Sequence, residues 1–124
     1  TIDPNASMLD AQRLMATKRI RALPVVQEDE LIGILTRTDL ISAAPNVAVT
    51  QGRLEVTQQV LSTPVRFIMT SSPITIQDDA PITEAAQIML KHKIHCLPVM
   101  SSRHKLIGII TETDIFNLIV KHFL

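Results

Sequence analysis

Cysteine, aromatic residues, glycine and net charge are all scarce in this sequence, and each shortage closes off a class of function. Cys96 is the only cysteine, so no internal disulfide and no multi-cysteine zinc site can form, and a reducing, cytoplasmic setting is expected. The aromatics are Phe67, Phe116 and Phe123, with no Trp or Tyr, too few for a platform on which nucleic-acid bases stack. Twelve basic residues balance twelve acidic ones. Without a basic excess, no nucleic-acid partner is expected. Gly33, Gly52 and Gly108 stand far apart, which leaves no glycine-rich phosphate loop. No apolar run approaches the roughly 18 residues of a membrane span. What the chain does have is apolar content, 46% of 124 residues. That size suits one compact unit, with part of its apolar surface expected to pack on a second copy.

The dominant feature is an internal repeat. Ile20–Val25 (Ile-Arg-Ala-Leu-Pro-Val) returns as Ile94–Val99 (Ile-His-Cys-Leu-Pro-Val) at an offset of 74. Leu31–Asp39 (Leu-Ile-Gly-Ile-Leu-Thr-Arg-Thr-Asp) returns as Leu106–Asp114 (Leu-Ile-Gly-Ile-Ile-Thr-Glu-Thr-Asp) at an offset of 75. The extra residue falls where Gln27–Glu30 faces Ser101–Lys105, as a surface turn tolerates. The chain is therefore a duplicated unit, expected as a pseudo-twofold pair.

Each copy follows one grammar. Ser7 followed by Asp10 reads as an N-cap box, and Pro81 suits the first turn of a helix. Met8, Ala11, Leu14 and Met15 recur at helical spacing, as do Ile82, Ala85, Ala86 and Met89. A short strand follows (Leu23–Val26, Leu97–Met100), then a turn, then a continuous apolar strand (Leu31–Leu35, Leu106–Ile110) of the kind covered on both faces. A second helix starts near Thr38 or Thr113, and a short strand precedes the first, clearest at Pro73–Ile76. The pattern predicts an α+β fold of two β-α-β-β-α repeats. The first is expected over residues 1–44 and the second over 65–124. Between them, 45–64 reads as a linker with a weak helical pattern (Leu54, Val56, Val60, Leu61). The counterpart of Val65–Ile74 would precede Thr1, so the sequence is expected to begin inside the first repeat.

The motif Gly-apolar-apolar-Thr-x-x-Asp after a Leu-Pro-Val strand, occurring twice, resembles the CBS domain, and two in tandem resemble a CBS pair, or Bateman module. The run Ile68-Met69-Thr70 followed by Pro73-Ile74-Thr75-Ile76 is similar to the start of such a domain, and Gly108–Phe116 is similar to bacterial stand-alone CBS pairs of the acetoin-utilisation type. The resemblance implies regulation. An adenosine-containing ligand (AMP, ADP, ATP or S-adenosylmethionine) would bind in the cleft between repeats and bias an attached or partner protein, usually from a disc-like homodimer. No cofactor other than such a ligand is implied.

Residue by residue, Asp39 and Asp114 fall on the family's ribose position. A carboxylate offers two acceptors to a vicinal diol, but at a helix start it is also favoured by the helix dipole alone. Thr36 and Thr111 would offer hydroxyls near ribose or phosphate, with a helix cap an equal alternative, while for Thr38 and Thr113 the cap is the plainer reading. Arg21 and His95 fall where the nucleotide-sensing subunit of AMP-activated protein kinase turns basic residues to phosphate. Either could equally face solvent. Cys96 stands where that motif would carry a second basic residue. Arg37 and Glu112 are equivalent positions of opposite charge; Arg37 would attract a phosphate and Glu112 repel one, if both face the ligand. By resemblance the adenine slot is Thr75, Ile76, Ile94, Cys96 and Pro98 in one site and Ile2, Ile20, Ala22 and Pro24 in the other, all equally compatible with ordinary core. His92, His95 and Cys96 offer metal-ligand types, but no carboxylate follows at a metal-site spacing, and no metal is expected. Neither copy has a general base that the other lacks, so no enzyme is expected. The competing reading is a structural dimerisation module with no physiological small ligand.

Overall fold

The computed structural model describes residues 1–43 and 60–123. Most of the expected linker, with its helical pattern and the Gln51-Gly52 turn, lies outside the described residues. The fold is α+β, and its contacts divide it into two compact units, one over Thr1–Ser72 and the other from Pro73 onward.

In the first unit, helix α1 (Met8–Lys18) leads to the antiparallel strands β1 (Ala22–Gln27) and β2 (Glu30–Thr36), and helix α2 (Arg37–Ala43) follows directly. The expected cap box starts α1: Asp10 N–H donates to Ser7 Oγ and Ser7 N–H to the Asp10 carboxylate. Met8, Ala11 and Met15, three or four apart, bury one face of α1 against Leu23, Val25 and Leu35. The β1–β2 loop is two residues long, and both, Glu28 and Asp29, take positive φ (51° and 66°). This is the turn whose twist matches the strands.

The second unit repeats the plan. Counting the short strand β3 (Thr70–Ser71) that lies between, strand β4 (Ile76–Gln77) precedes helix α3 (Ile82–His92), strands β5 (Cys96–Met100) and β6 (Leu106–Thr111), and helix α4 (Glu112–Phe123). Strand β4 runs parallel to β5, with Ile76 opposite Val99. The first unit has a single parallel bridge at the same place, Ile2 to Val25. Both hairpins shift register at the same point, after Val25 and after Val99. The inserted residue widens the second loop, where Ser101 N–H donates to Lys105 O at 2.8 Å. Pro81 is the N-cap of α3 and carries no side-chain cap bond.

The strand grammar extends further than the pattern predicted. Val65–Phe67 forms a 3-10 turn, and β3 pairs antiparallel with β2. Val65 is fully buried in the first core, and its N–H donates to Ala6 O. Residues 65–72, the lead-in of the second repeat by sequence, thus pack with the first unit. The expectation that both long apolar strands are covered on both faces holds for β2 and fails for β6. Gly33, Ile34 and Leu35 are buried, whereas Ile107 is 57% exposed and Gly108 is exposed. A segment distant in sequence makes the difference. Strand β3 pairs beside Gly33 and Met69 lies against it, so that a Cβ there would come within 2.5 Å of the Met69 sulfur, whereas none of the described residues lies within 4 Å of the same point at Gly108. No helix among the described residues is long and apolar enough to cross a membrane.

Candidate ligand-binding site

The Thr-x-x-Asp motif sits where each long strand becomes a helix. In the first unit, Thr36 N–H donates to Asp39 Oδ2 (2.8 Å) and Asp39 N–H donates to Thr36 Oγ1 (3.1 Å). In the second, Thr111 N–H donates to Asp114 Oδ2 (2.8 Å) and Asp114 N–H to Thr111 Oγ1 (3.2 Å). These are reciprocal capping boxes, each satisfying two otherwise orphaned backbone donors. Thr36 and Thr111, which the sequence left evenly divided between cap and ligand contact, are therefore the caps, and Thr38 and Thr113 are not. The capping residue precedes the first helical residue, and Thr38 and Thr113 already lie inside helices that begin at Arg37 and Glu112.

The caps engage only one oxygen of each carboxylate. Oδ1 of Asp39 and of Asp114 has no partner among the described residues. The two differ in the second oxygen: Thr111 Oγ1 also donates to Asp114 Oδ2 (3.0 Å), so that oxygen already accepts two bonds. Asp39 Oδ2 accepts one and keeps a lone pair for a diol. Asp39 is half-buried and Asp114 exposed.

Arg21 and His95 are brought beside the same helix starts. Arg19 and Lys93 end α1 and α3 in the left-handed conformation (φ 54° and 55°), which turns the chain so that the next residues enter β1 and β5. Arg37 N–H then donates to Arg21 O (2.8 Å), and Glu112 N–H to His95 O (3.0 Å). The backbone is the same and the side chains are opposite in effect. His95 Nδ1 lies 2.7 Å from Glu112 Oε1, an exposed ion pair when the imidazole is protonated. Arg21 and Arg37 have no acidic partner among the described residues.

A cavity of about 550 Å³ opens beside the two arginines, lined by Arg19, Arg21 and Arg37 and by Met15, Ile20, Leu40 and Ile41. Its volume is in the roughly 300–1,000 Å³ range of small-molecule sites, and no acidic residue lines it among the described residues. Sequence reading missed Arg19. Its signal was there, because Lys93 is basic at the equivalent position. A second cavity of about 330 Å³ in the other unit is lined by Thr75 and Ile76, with Asp79 and Glu84 among its other residues.

The expected adenine slot is less coherent. Ile2 and Pro24 are buried in the first unit, and their main chain is already engaged: Ile2 N–H donates to Pro24 O, and Val26 N–H to Ile2 O, each at 3.0 Å. Ile20 lines the larger cavity and Ala22 is half-buried. In the second unit Ile76 and Pro98 are buried, and Thr75, Ile94 and Cys96 are half-buried. Ile94, Cys96 and Pro98 do not line the smaller cavity. No group of three or more His, Cys, Asp or Glu able to hold a metal occurs among the described residues.

This geometry meets known proteins in one family. The CBS domain model matches residues 1–46 and again 65–121. The crystal structure of CBSX2 in complex with AMP superposes with a TM-score of 0.81 and 26% identity, covering 100% of this chain and 89% of that one. A protein described as a candidate acetoin utilization protein from Vibrio cholerae gives 0.79 at 30% identity, covering 99% and 84%. The CBS domain pair of protein MJ0100, in complex with 5-methylthioadenosine and S-adenosyl-L-methionine, gives 0.78 at 28% identity, covering 97% and 88%. Among curated relatives, the inosine-5'-monophosphate dehydrogenase of Korarchaeum cryptofilum is 36% identical over 116 residues. That match takes in 94% of this chain but only 21% of the enzyme, and a match to an uncharacterised Methanocaldococcus jannaschii protein takes in 37% of that protein. Two family matches, the duplicated Thr–Asp caps and whole-chain superposition agree: the chain belongs to the CBS domain family and carries two copies of the domain.

Proposed function

We propose that the chain is a regulatory, non-catalytic module that senses an adenosine-containing ligand, AMP, ADP, ATP or S-adenosylmethionine, and passes its occupancy to an attached or partner protein. One observation carries this reading. Structural neighbours over the whole chain hold AMP, or methylthioadenosine and S-adenosylmethionine, and this chain keeps, at the start of α2 and of α4, a carboxylate with one oxygen that has no partner among the described residues. In this reading Asp39 and Asp114 take ribose hydroxyls beside Thr36 and Thr111, and Arg21 and Arg37 meet phosphate, while His95, the third phosphate residue expected from the resemblance, is paired with Glu112. Occupancy acts only through a difference in affinity between two arrangements of the module.

The test is a thermal-shift titration with AMP, ADP, ATP and S-adenosylmethionine, on the wild type and on Asp39→Ala and Asp114→Ala. Ligand at 100 times its Kd stabilises by about 2.7 kcal/mol, a shift of several degrees at this size. We expect a shift with at least one ligand and its loss in Asp39→Ala. No shift with any of the four would sink the reading.

A second reading, a dimerisation module without a small ligand, draws on α4, where Phe116 (61%), Val120 (56%) and Phe123 (80%) are exposed. Sedimentation of wild type against Phe116→Lys would separate them: a dimer that dissociates in the variant, together with no thermal shift, favours the scaffold.

A further inference from the structure

The two repeats place different charges at three equivalent positions. In the first, Arg19, Arg21 and Arg37 line one cavity with no carboxylate among the described residues, a charge of plus three. In the second the positions hold Lys93, His95 and Glu112. Their sum is zero with the imidazole neutral and plus one with it protonated, and in the protonated state His95 is already held by Glu112 at 2.7 Å. The equivalence is structural as well as sequential. Arg19 and Lys93 share the left-handed helix-end conformation, and Arg37 and Glu112 donate from equivalent N–H groups to the carbonyls of Arg21 and His95. The backbone is therefore alike at these positions, and the side chains it carries differ in charge.

We propose that this makes the repeats unequal in ligand charge. The Arg19–Arg21–Arg37 cavity is the chain's phosphate-accepting site, and Glu112 is a specificity-determining residue that withholds phosphate from the second repeat. Guanidinium groups present forked donors matched to phosphate oxygens. A carboxylate already bonded to the neighbouring imidazole occupies its Nδ1 and repels the anion. The remainder of the ligand rests on the adenosine reading above; the charge preference rests on these six residues alone. The chain accordingly takes one phosphate-bearing ligand, and any adenosine ligand at the second repeat lacks phosphate.

The experiment is an NMR titration with inorganic pyrophosphate, observing the arginine Nε–H and histidine ring signals of wild type, Arg37→Glu and Glu112→Arg. Arg37 is exposed and Glu112 half-buried, and the bonds they make to Arg21 and His95 carbonyls come from backbone, which the substitutions keep. Unchanged amide spectra outside the site confirm that the variants fold. In wild type the signals of Arg19, Arg21 and Arg37 shift saturably and that of His95 does not. Arg37→Glu weakens pyrophosphate roughly tenfold or more, as expected for loss of a charge-assisted contact and gain of a repulsive one, and Glu112→Arg brings the His95 ring into the response. Equal response at both repeats, response at neither, or an inert Glu112→Arg would overturn the proposal. A parallel titration with adenosine and AMP keeps the two readings apart. If neither binds while the pyrophosphate pattern holds, the adenosine reading fails and the charge inequality stands. If both bind equally at both repeats, the inequality fails and adenosine sensing stands.

Discussion

The strands Leu31–Thr36 and Leu106–Thr111 differ at one position, Leu35 against Ile110, yet one is wrapped and the other is open. Gly33 lies under the Met69 sulfur and the Thr70 carbonyl, while Gly108 has none of the described residues within 4 Å. The hairpin, its register shift and the helix cap after it recur because they are set by residues within a few positions. Burial does not recur, because it depends on which distant segment lies over the strand. Near-identical sequence thus fixes local geometry in both repeats and leaves stability free to differ.

Truncating the core challenges that contrast most strongly. Leu35 is fully buried, and Leu35→Ala is expected to cost about 2–5 kcal/mol in urea denaturation. Ile110 is half-buried, so Ile110→Ala is expected to cost clearly less; equal losses would mean that the second strand is as well covered as the first. The glycines sharpen the same point with a smaller effect. A methyl group at Gly33 must displace Met69 and meets the Thr70 backbone at 2.9 Å, for an expected loss of about 1–3 kcal/mol. Gly108→Ala meets open space and should be neutral or raise stability by a few tenths up to about 1 kcal/mol through the unfolded state. The smallest comparison predicts likeness instead. The caps at Thr36 and Thr111 make the same backbone bonds, so Thr36→Ala and Thr111→Ala should each cost about 0.5–2 kcal/mol. A large gap between them would show that one Thr–Asp pair is held by more than its helix.

Much of this was legible in the sequence. The repeat, the hairpin order, the one-residue insertion and the Ser7–Asp10 cap all follow from short-range pattern. The Thr-x-x-Asp spacing also carried the true caps, but ligand chemistry explained the same residues, and the hydroxyls next to the aspartates looked like the better caps. Two things lay beyond a pattern. Arg19 lines a cavity with Arg37 through tertiary packing, which the spacing of the two residues in the sequence does not show. The packing of residues 65–72 is a long-range choice that periodicity does not encode.

That last feature bears on how such a chain is cut. The unit of duplication is not the unit of folding. A break between residues 64 and 65 respects the sequence repeat but strips from the first unit the fully buried Val65 and the strand that covers Gly33. A break after Ser72 follows the packing instead.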